Sequence, residues 1–335
     1  MTVITAPWRE RFILASDAVT PGQRSALRRA VETGSLRRVW RGVYLPEGDW
    51  RIFDRDARYL AVVQAVALAY DGNLVFSHLS AAALWGLPMV GYWPKEVHVV
   101  DERTSGGRAR QGLACHSEGI PDGIVQIDGL WVTPLPRTVI DTARTSLFGT
   151  AVAMADHAIS PSPLDAPSDW QATDLETLHS ELDRVRTSRG VVATRRALAF
   201  ADPRSGSPGE SLSRVAIHLL GFPPPELQVD FSDSKGRIGT IDFWWPESNL
   251  IGEFDGAGKY LRDQYTGGRE PAEIVMAEKK RENRLRAVGP GLTRWDWPIA
   301  ASLPSLRRHL VEAGLRPERR AIVREHAHYP VRSHN

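Results

Sequence analysis

The chain has 335 residues, 42% hydrophobic and 24% charged, a balance that fits folded domains and excludes the disordered and collagen-like classes. This length predicts two or three domains. Its 42 basic and 40 acidic residues nearly cancel, so no chain-wide field draws it to nucleic acid.

The longest apolar stretch, from Tyr59 to Tyr70, is too short to cross a bilayer, so no membrane partner is expected. No secretory pattern opens the sequence. A single cysteine, Cys115, excludes a disulfide framework and a thiolate zinc site and points to a reducing cytoplasm.

Residues 1–52 read as a small basic unit. Phe12 to Val19 predicts a short helix, and Pro21 breaks it. A second helix runs from Gly22 to Gly34, with Leu27, Ala30 and Val31 on one side. Leu36, Val39, Val43 and Leu45 then mark a two-stranded ribbon turning at Arg41-Gly42. Helix, turn, helix and β wing together form a DNA-docking arrangement. Arg24, Arg28, Arg29, Arg37, Arg38 and Arg41 fall on the second helix and wing, and between 24 and 41 only Glu32 opposes them. Such a patch suits the phosphates of double-stranded DNA. The plainer alternative is a solvated face in a chain that has only five lysines among its basic residues.

Residues 53–160 alternate helical and extended runs. His78, His98, His116 and His157 lie here, with neither HxH nor HExxH spacing, so they are expected as surface or satisfied core residues. Ser77, Ser80 and Asp141 lack the GxSxG elbow of a hydrolase. Residues 161–209 read as a helical linker: a Pro/Ser/Asp-rich stretch, a polar helix from Leu175 to Phe200, and a break at 201–209. A basic, His-rich tail fills 314–335.

Residues 210–313 predict helix, three strands, helix and strand: Glu210 to Leu220, Leu227 to Phe231, Gly239 to Trp245, Asn249 to Phe254, Ala272 to Val288 and Leu292 to Trp297. The whole chain is therefore a multi-domain α/β protein. Asp242 interrupts the apolar run TIDFWW, and Glu253 ends the run LIGEF. Charges inside strands are costly unless paired or bound to a cation. Neighbouring strands lie about 5 Å apart, so Asp242, Glu253 and Asp255 are candidate ligands for one ion. Oxygen donors without Cys or His favour Mg²⁺ or Mn²⁺. On the second helix Ile274, Ala277, Leu285 and Val288 predict a buried stripe with Arg281 at its centre. That turns Arg281 towards the acids, as a phosphate-site residue or a structural counter-ion.

Two family resemblances follow from these motifs. The strings LRRVWRGVYLP, SHLSAAALWGLP, GLWVTPLPRTVIDTAR and AVAMADHAI resemble the AbiEi-type antitoxins of abortive-infection toxin–antitoxin systems. That likeness implies a winged helix followed by an α/β domain, promoter binding, repression and a cognate toxin. The strings GEFDGAGKY and AEKKRENRLRAVGPGLTRWDW resemble the PD-(D/E)XK nucleases, in the branch similar to very-short-patch-repair endonucleases. This second likeness implies a mixed sheet flanked by helices and metal-dependent phosphodiester hydrolysis, with Glu210 assisting the ion. Asp255 stands where that family's core signature places lysine, and Lys259 is the candidate replacement. Two functions are thus expected of the C-terminal domain: an Mg²⁺- or Mn²⁺-dependent DNA endonuclease, or an antitoxin-like repressor whose nuclease-like domain has lost its chemistry.

Overall fold

Thr20 sets the start of the first α-helix. Its side chain accepts from the Gln23 backbone N–H, Gln23 reciprocates onto the Thr20 N–H, and Pro21 occupies the first helical position, a complete capping box. The computed structural model describes residues 7–70, 74–100, 111–117, 119–163, 170–185, 189–256 and 271–322. Contacts divide the chain into two units, Met1–Thr142 with Glu176–Arg186, and Ala143–Leu175 with Thr187–Asn335.

The first unit opens with a 3₁₀ turn (Pro7–Arg11), β1 (Ile13–Leu14), a second 3₁₀ turn (Ala15–Asp17), α1 (Pro21–Glu32), β2 (Leu36–Trp40) and β3 (Val43–Pro46). A three-stranded sheet has the order β1-β3-β2. The continuous helix expected from Phe12 to Val19 is not formed. Ile13 and Leu14 pair instead with Tyr44 and Val43, and the Ala15 N–H donates to Gly42 O at 2.8 Å. Long-range pairing thus overrides local helical periodicity there.

Next come α2 (Glu47–Ile52), α3 (Arg55–Ala69), β4 (Val75–Phe76), α4 (His78–Leu84), β5 (Val97–Val100), β6 (Leu113–His116), β7 (Val125–Ile127), β8 (Leu130–Val132) and α5 (Leu135–Thr145). The strands form a mixed sheet of order β6-β5-β4-β8-β7. The segments on either side of residue 52 share one core. Val43 and Leu45 of β3 cluster with Val63 and Val66 of α3 and with Val97, Val99 and Leu130 of the sheet. Trp40 seals the join, because a Cβ on Gly112 would lie 2.4 Å from its indole.

The two units cut across the expected segments. Helix α6 (Phe148–Ile159) belongs with the second unit, and α7 (Leu175–Asp183) lies almost wholly in the first. The reason for α6 is a buried charge. Asp156 accepts from the Asp202 backbone N–H at 2.7 Å, from Ser211 Oγ at 2.7 Å and from Arg214 Nη1 at 2.8 Å.

The second unit continues with α8 (Val191–Phe200), α9 (Pro208–Leu219), β9 (Glu226–Asp233), β10 (Gly236–Trp245), β11 (Leu250–Phe254), α10 (Pro271–Ala287), β12 (Gly291–Trp295), α11 (Trp297–Ala300) and α12 (Leu303–Glu312). The sheet order is β12-β11-β10-β9. β9, β10 and β11 are antiparallel, while β11 and β12 run parallel and α10 lies in the connection between them, as parallel pairs require. Trp295 and Trp245 both stack on Phe243. Gly252 leaves room for them, since a Cβ there would come within 2.8 Å of both indoles. Across the sheet Ile241, Ile251 and Leu285 form a smaller cluster. Of the stripe expected on α10, Leu285 is buried while Ala277 and Val288 are exposed, and the side chain of Ile274 lies outside the described residues. Among the described residues no helix is long and apolar enough to cross a membrane.

Candidate functional site

The acids of the C-terminal sheet meet different partners. The β10–β11 ladder is regular up to Phe243 opposite Gly252. One residue further, Asp242 Oδ2 accepts from the Phe254 backbone N–H at 2.8 Å, so a side chain takes the place of the next ladder bond. Asp242 Oδ1 faces Gln228 Nε2 at 3.4 Å, and the same amide donates to Glu210 Oε2 at 2.8 Å. Gln228 adopts a left-handed backbone (φ 52°), rare for a residue with a side chain. Glu210 is held by the first turn of α9, where it accepts from Ser207 Oγ and the Gly206 N–H. Gly209 allows this approach, because a Cβ there would lie 2.0 Å from the Phe254 ring. Glu210, Gln228 and Asp242 are therefore brought together.

Glu253 is engaged elsewhere. One carboxylate oxygen accepts from Arg281 of α10, and the other forms an ion pair with Arg294 of β12 at 2.8 Å. Parallel pairing sets Arg294 directly beside Glu253. Glu278 bridges the same two guanidiniums, closing a neutral group of two acids and two arginines. Burial is the largest single influence on the Arg281 charge and works against it, but the hydrogen bonds and charges of Glu253 and Glu278 together lift its pKa above the ordinary value. Arg281 also donates to Thr240 O at 3.0 Å. The stripe argument thus placed Arg281 beside an acid, and its partner is Glu253. Asp255 follows β11, half-buried, with its backbone N–H on Trp295 O. Lys259 lies outside the described residues.

This donor set, as arranged, does not fit an Mg²⁺ or Mn²⁺ centre. Such ions need several convergent oxygens, and both oxygens of Glu253 contact guanidiniums. Among the described residues no three acids bring their oxygens together closely enough for one ion.

The six N-terminal arginines are all exposed. Arg37 pairs with Glu47 at 2.9 Å, and Arg24 donates to the carbonyls of Ala18 and Val19. Arg28 and Arg29 on α1, Arg38 on β2 and Arg41 in the following turn make no ion pair with an acid among the described residues.

Sequence spacing missed one group. His78, His98 and His116 form a cluster whose donor atoms lie within 4.8 Å of one another, whereas His157 stands edge-on to Trp170 in the other unit. Burial pushes His98 down to about 4, and His116 beside it adds to the depression. A reading of β5 and β6 as neighbours was the missing signal.

No protein-family model matches the chain. It is similar to the uncharacterized protein MT2308 of Mycobacterium tuberculosis (strain CDC 1551 / Oshkosh), 28% identical over 246 residues that cover 70% of this chain and 81% of the relative. The uncharacterized protein Rv2248 of Mycobacterium tuberculosis (strain ATCC 25618 / H37Rv) is similar to the same extent.

Proposed function

We propose that the protein binds double-stranded DNA as a regulator of the antitoxin or repressor type, with a PD-(D/E)XK-like C-terminal unit that acts as a scaffold. The observation that carries this is the exposed guanidinium set on α1, β2 and the turn after it. The turn Ala15–Asp17, α1 and the β2–β3 ribbon follow the order of a winged helix-turn-helix, with α1 as the groove-facing element. Arg28, Arg29, Arg38 and Arg41 are available for phosphates, and each phosphate neutralised contributes to the salt dependence of binding. The order α9-β9-β10-β11-α10-β12 supports the nuclease-like reading of the second unit. The arginines on Glu253 support its role as a scaffold.

Fluorescence anisotropy with duplex DNA tests this reading. The double variant Arg28→Ala/Arg38→Ala should weaken binding and lower the log–log salt slope by about 2. An unchanged slope would place the DNA surface elsewhere.

A second reading, phosphodiester cleavage, is favoured by one specific feature: Glu210, Gln228 and Asp242 converge where β10 and β11 part. It requires Glu253 to leave its two arginines. Supercoiled plasmid incubated with the protein and Mg²⁺ or Mn²⁺ should stay intact under the first reading. Nicking that disappears in Asp242→Asn would reverse the order of the two.

A further inference from the structure

We infer that the first unit carries a transition-metal site of the zinc type, built from His78, His98 and His116. The ligands come from three separate segments. His98 lies on β5 and His116 on β6; these strands are parallel, with His98 beside Ala114 and Val100 beside His116. Side chains two residues apart on a strand share a face, so both imidazoles project from the same side of the sheet. Val97 and Val99 point the other way, into the hydrophobic core. His78 arrives at the start of α4, immediately after β4, which is hydrogen-bonded to β5.

The rings are gathered closely. His98 Nδ1 and His116 Nε2 lie 3.0 Å apart. The His78 and His116 rings stack with centroids 3.5 Å apart. Zinc–nitrogen bonds of about 2.0–2.1 Å in a tetrahedron set ligand atoms about 3.3 Å apart. A donor set already within 4.8 Å therefore reaches an ion by small rotations of the rings.

Two further observations point to a ligand. His78 has φ 48°, a left-handed conformation that costs free energy and concentrates at functional positions. Its Nδ1 faces Ser77 Oγ at 3.2 Å and Asp141 Oδ2 at 4.0 Å. A metal-ligating histidine commonly turns its other nitrogen to a carboxylate, which fixes the tautomer and ring orientation. This assigns Nε2 of His78 to the ion. Asp141 is itself fixed by Arg137 at 2.7 Å. Three neutral imidazoles suit Zn²⁺, Co²⁺, Ni²⁺ or Cu²⁺ and discriminate against Mg²⁺ and Ca²⁺. Three protein ligands leave a position for water, as in sites that are not purely structural.

Co²⁺, a spectroscopic stand-in for Zn²⁺, is the probe. The full chain, stripped with a chelator, should take up one equivalent of Co²⁺ with the visible absorption of a four-coordinate ion, and Zn²⁺ should bleach it. His98→Asn and His116→Gln should each weaken binding by at least about tenfold, with circular dichroism confirming the fold. Replacing His326, His328 and His334 of the tail by Ala should leave the band unchanged. No band in the wild-type chain would overturn the proposal. A band kept in both cluster variants, or lost with the tail histidines, would do the same. Should the cluster variants unfold, zinc-edge anomalous scattering from wild-type crystals decides: a peak among the three rings supports the site, and its absence there overturns it.

Discussion

Acids buried in the second unit and histidines gathered in the first are both costly to bury, yet the two regions meet that cost differently. Glu253 is matched by Arg281 and Arg294, and Asp156 by Arg214. The imidazoles stack and share a hydrogen bond, and burial disfavours the charged form of His98. A charge that the chain itself neutralises is complete without an ion. A set of imidazoles turned towards one another can still accept one. The difference therefore separates a stabilised scaffold from a candidate binding site.

The comparison breaks most visibly at Asp156. It is almost fully buried among three donors. Asp156→Ala strands the Arg214 guanidinium and should cost about 3–5 kcal/mol, measured by urea unfolding. A loss below about 1 kcal/mol would mean that water reaches Arg214 and that the pair does not hold α6 to α9.

Glu253 comes next, because its arginines are less deeply buried. Glu253→Ala should cost about 2 kcal/mol, within the range for hydrogen bonds to charged groups. A stabilised Glu253→Ala would show that the arginines repel one another less than Glu253 and Glu278 do, and it would remove the argument for a scaffold. Gln228→Ala should cost about 1 kcal/mol: Glu210 and Asp242 lose a shared donor, while the Cβ that strains the left-handed backbone stays. If Gln228→Gly proves as stable as wild type, backbone strain accounts for as much as the amide does.

These sites were legible in the sequence to different degrees. The order of strands β9 to β12 follows from runs of apolar residues, and Asp233 closes the β9–β10 turn by accepting from the Lys235 N–H at 2.7 Å, the local bonding that suits Asp to turns. Arg281 was legible because helical periodicity is local. Arg294 was not, since its place beside Glu253 depends on a parallel pairing across the α10 connection. The same holds for His98 and His116, which only the β5–β6 pairing brings together. Local periods specify faces, while contacts between strands distant in sequence depend on topology. The missing helix before Val19 is the converse case, a local preference overruled by pairing with β3.

The smallest expected effect tests whether charge matching also matters at the surface. Arg284 holds Asp233 with two nitrogens, at 2.7 and 2.8 Å, and draws its carboxyl down to about 2 from an ordinary 3.8. A depressed acid pKa means that the folded state favours the carboxylate. Its stabilising contribution is present above pH 3.8 and is lost as pH falls towards 2. Asp233→Asn should therefore lower the urea midpoint slightly at pH 7 and leave the variant and wild type closer together near pH 2.5. Exposed pairs are weak and screened by salt, so the gap at pH 7 should narrow further in high salt. No gap at pH 7 would mean that the Arg284 hydrogen bonds to the hairpin carbonyls of Gly236 and Arg237, rather than its pairing with Asp233, hold α10 against the β9–β10 turn.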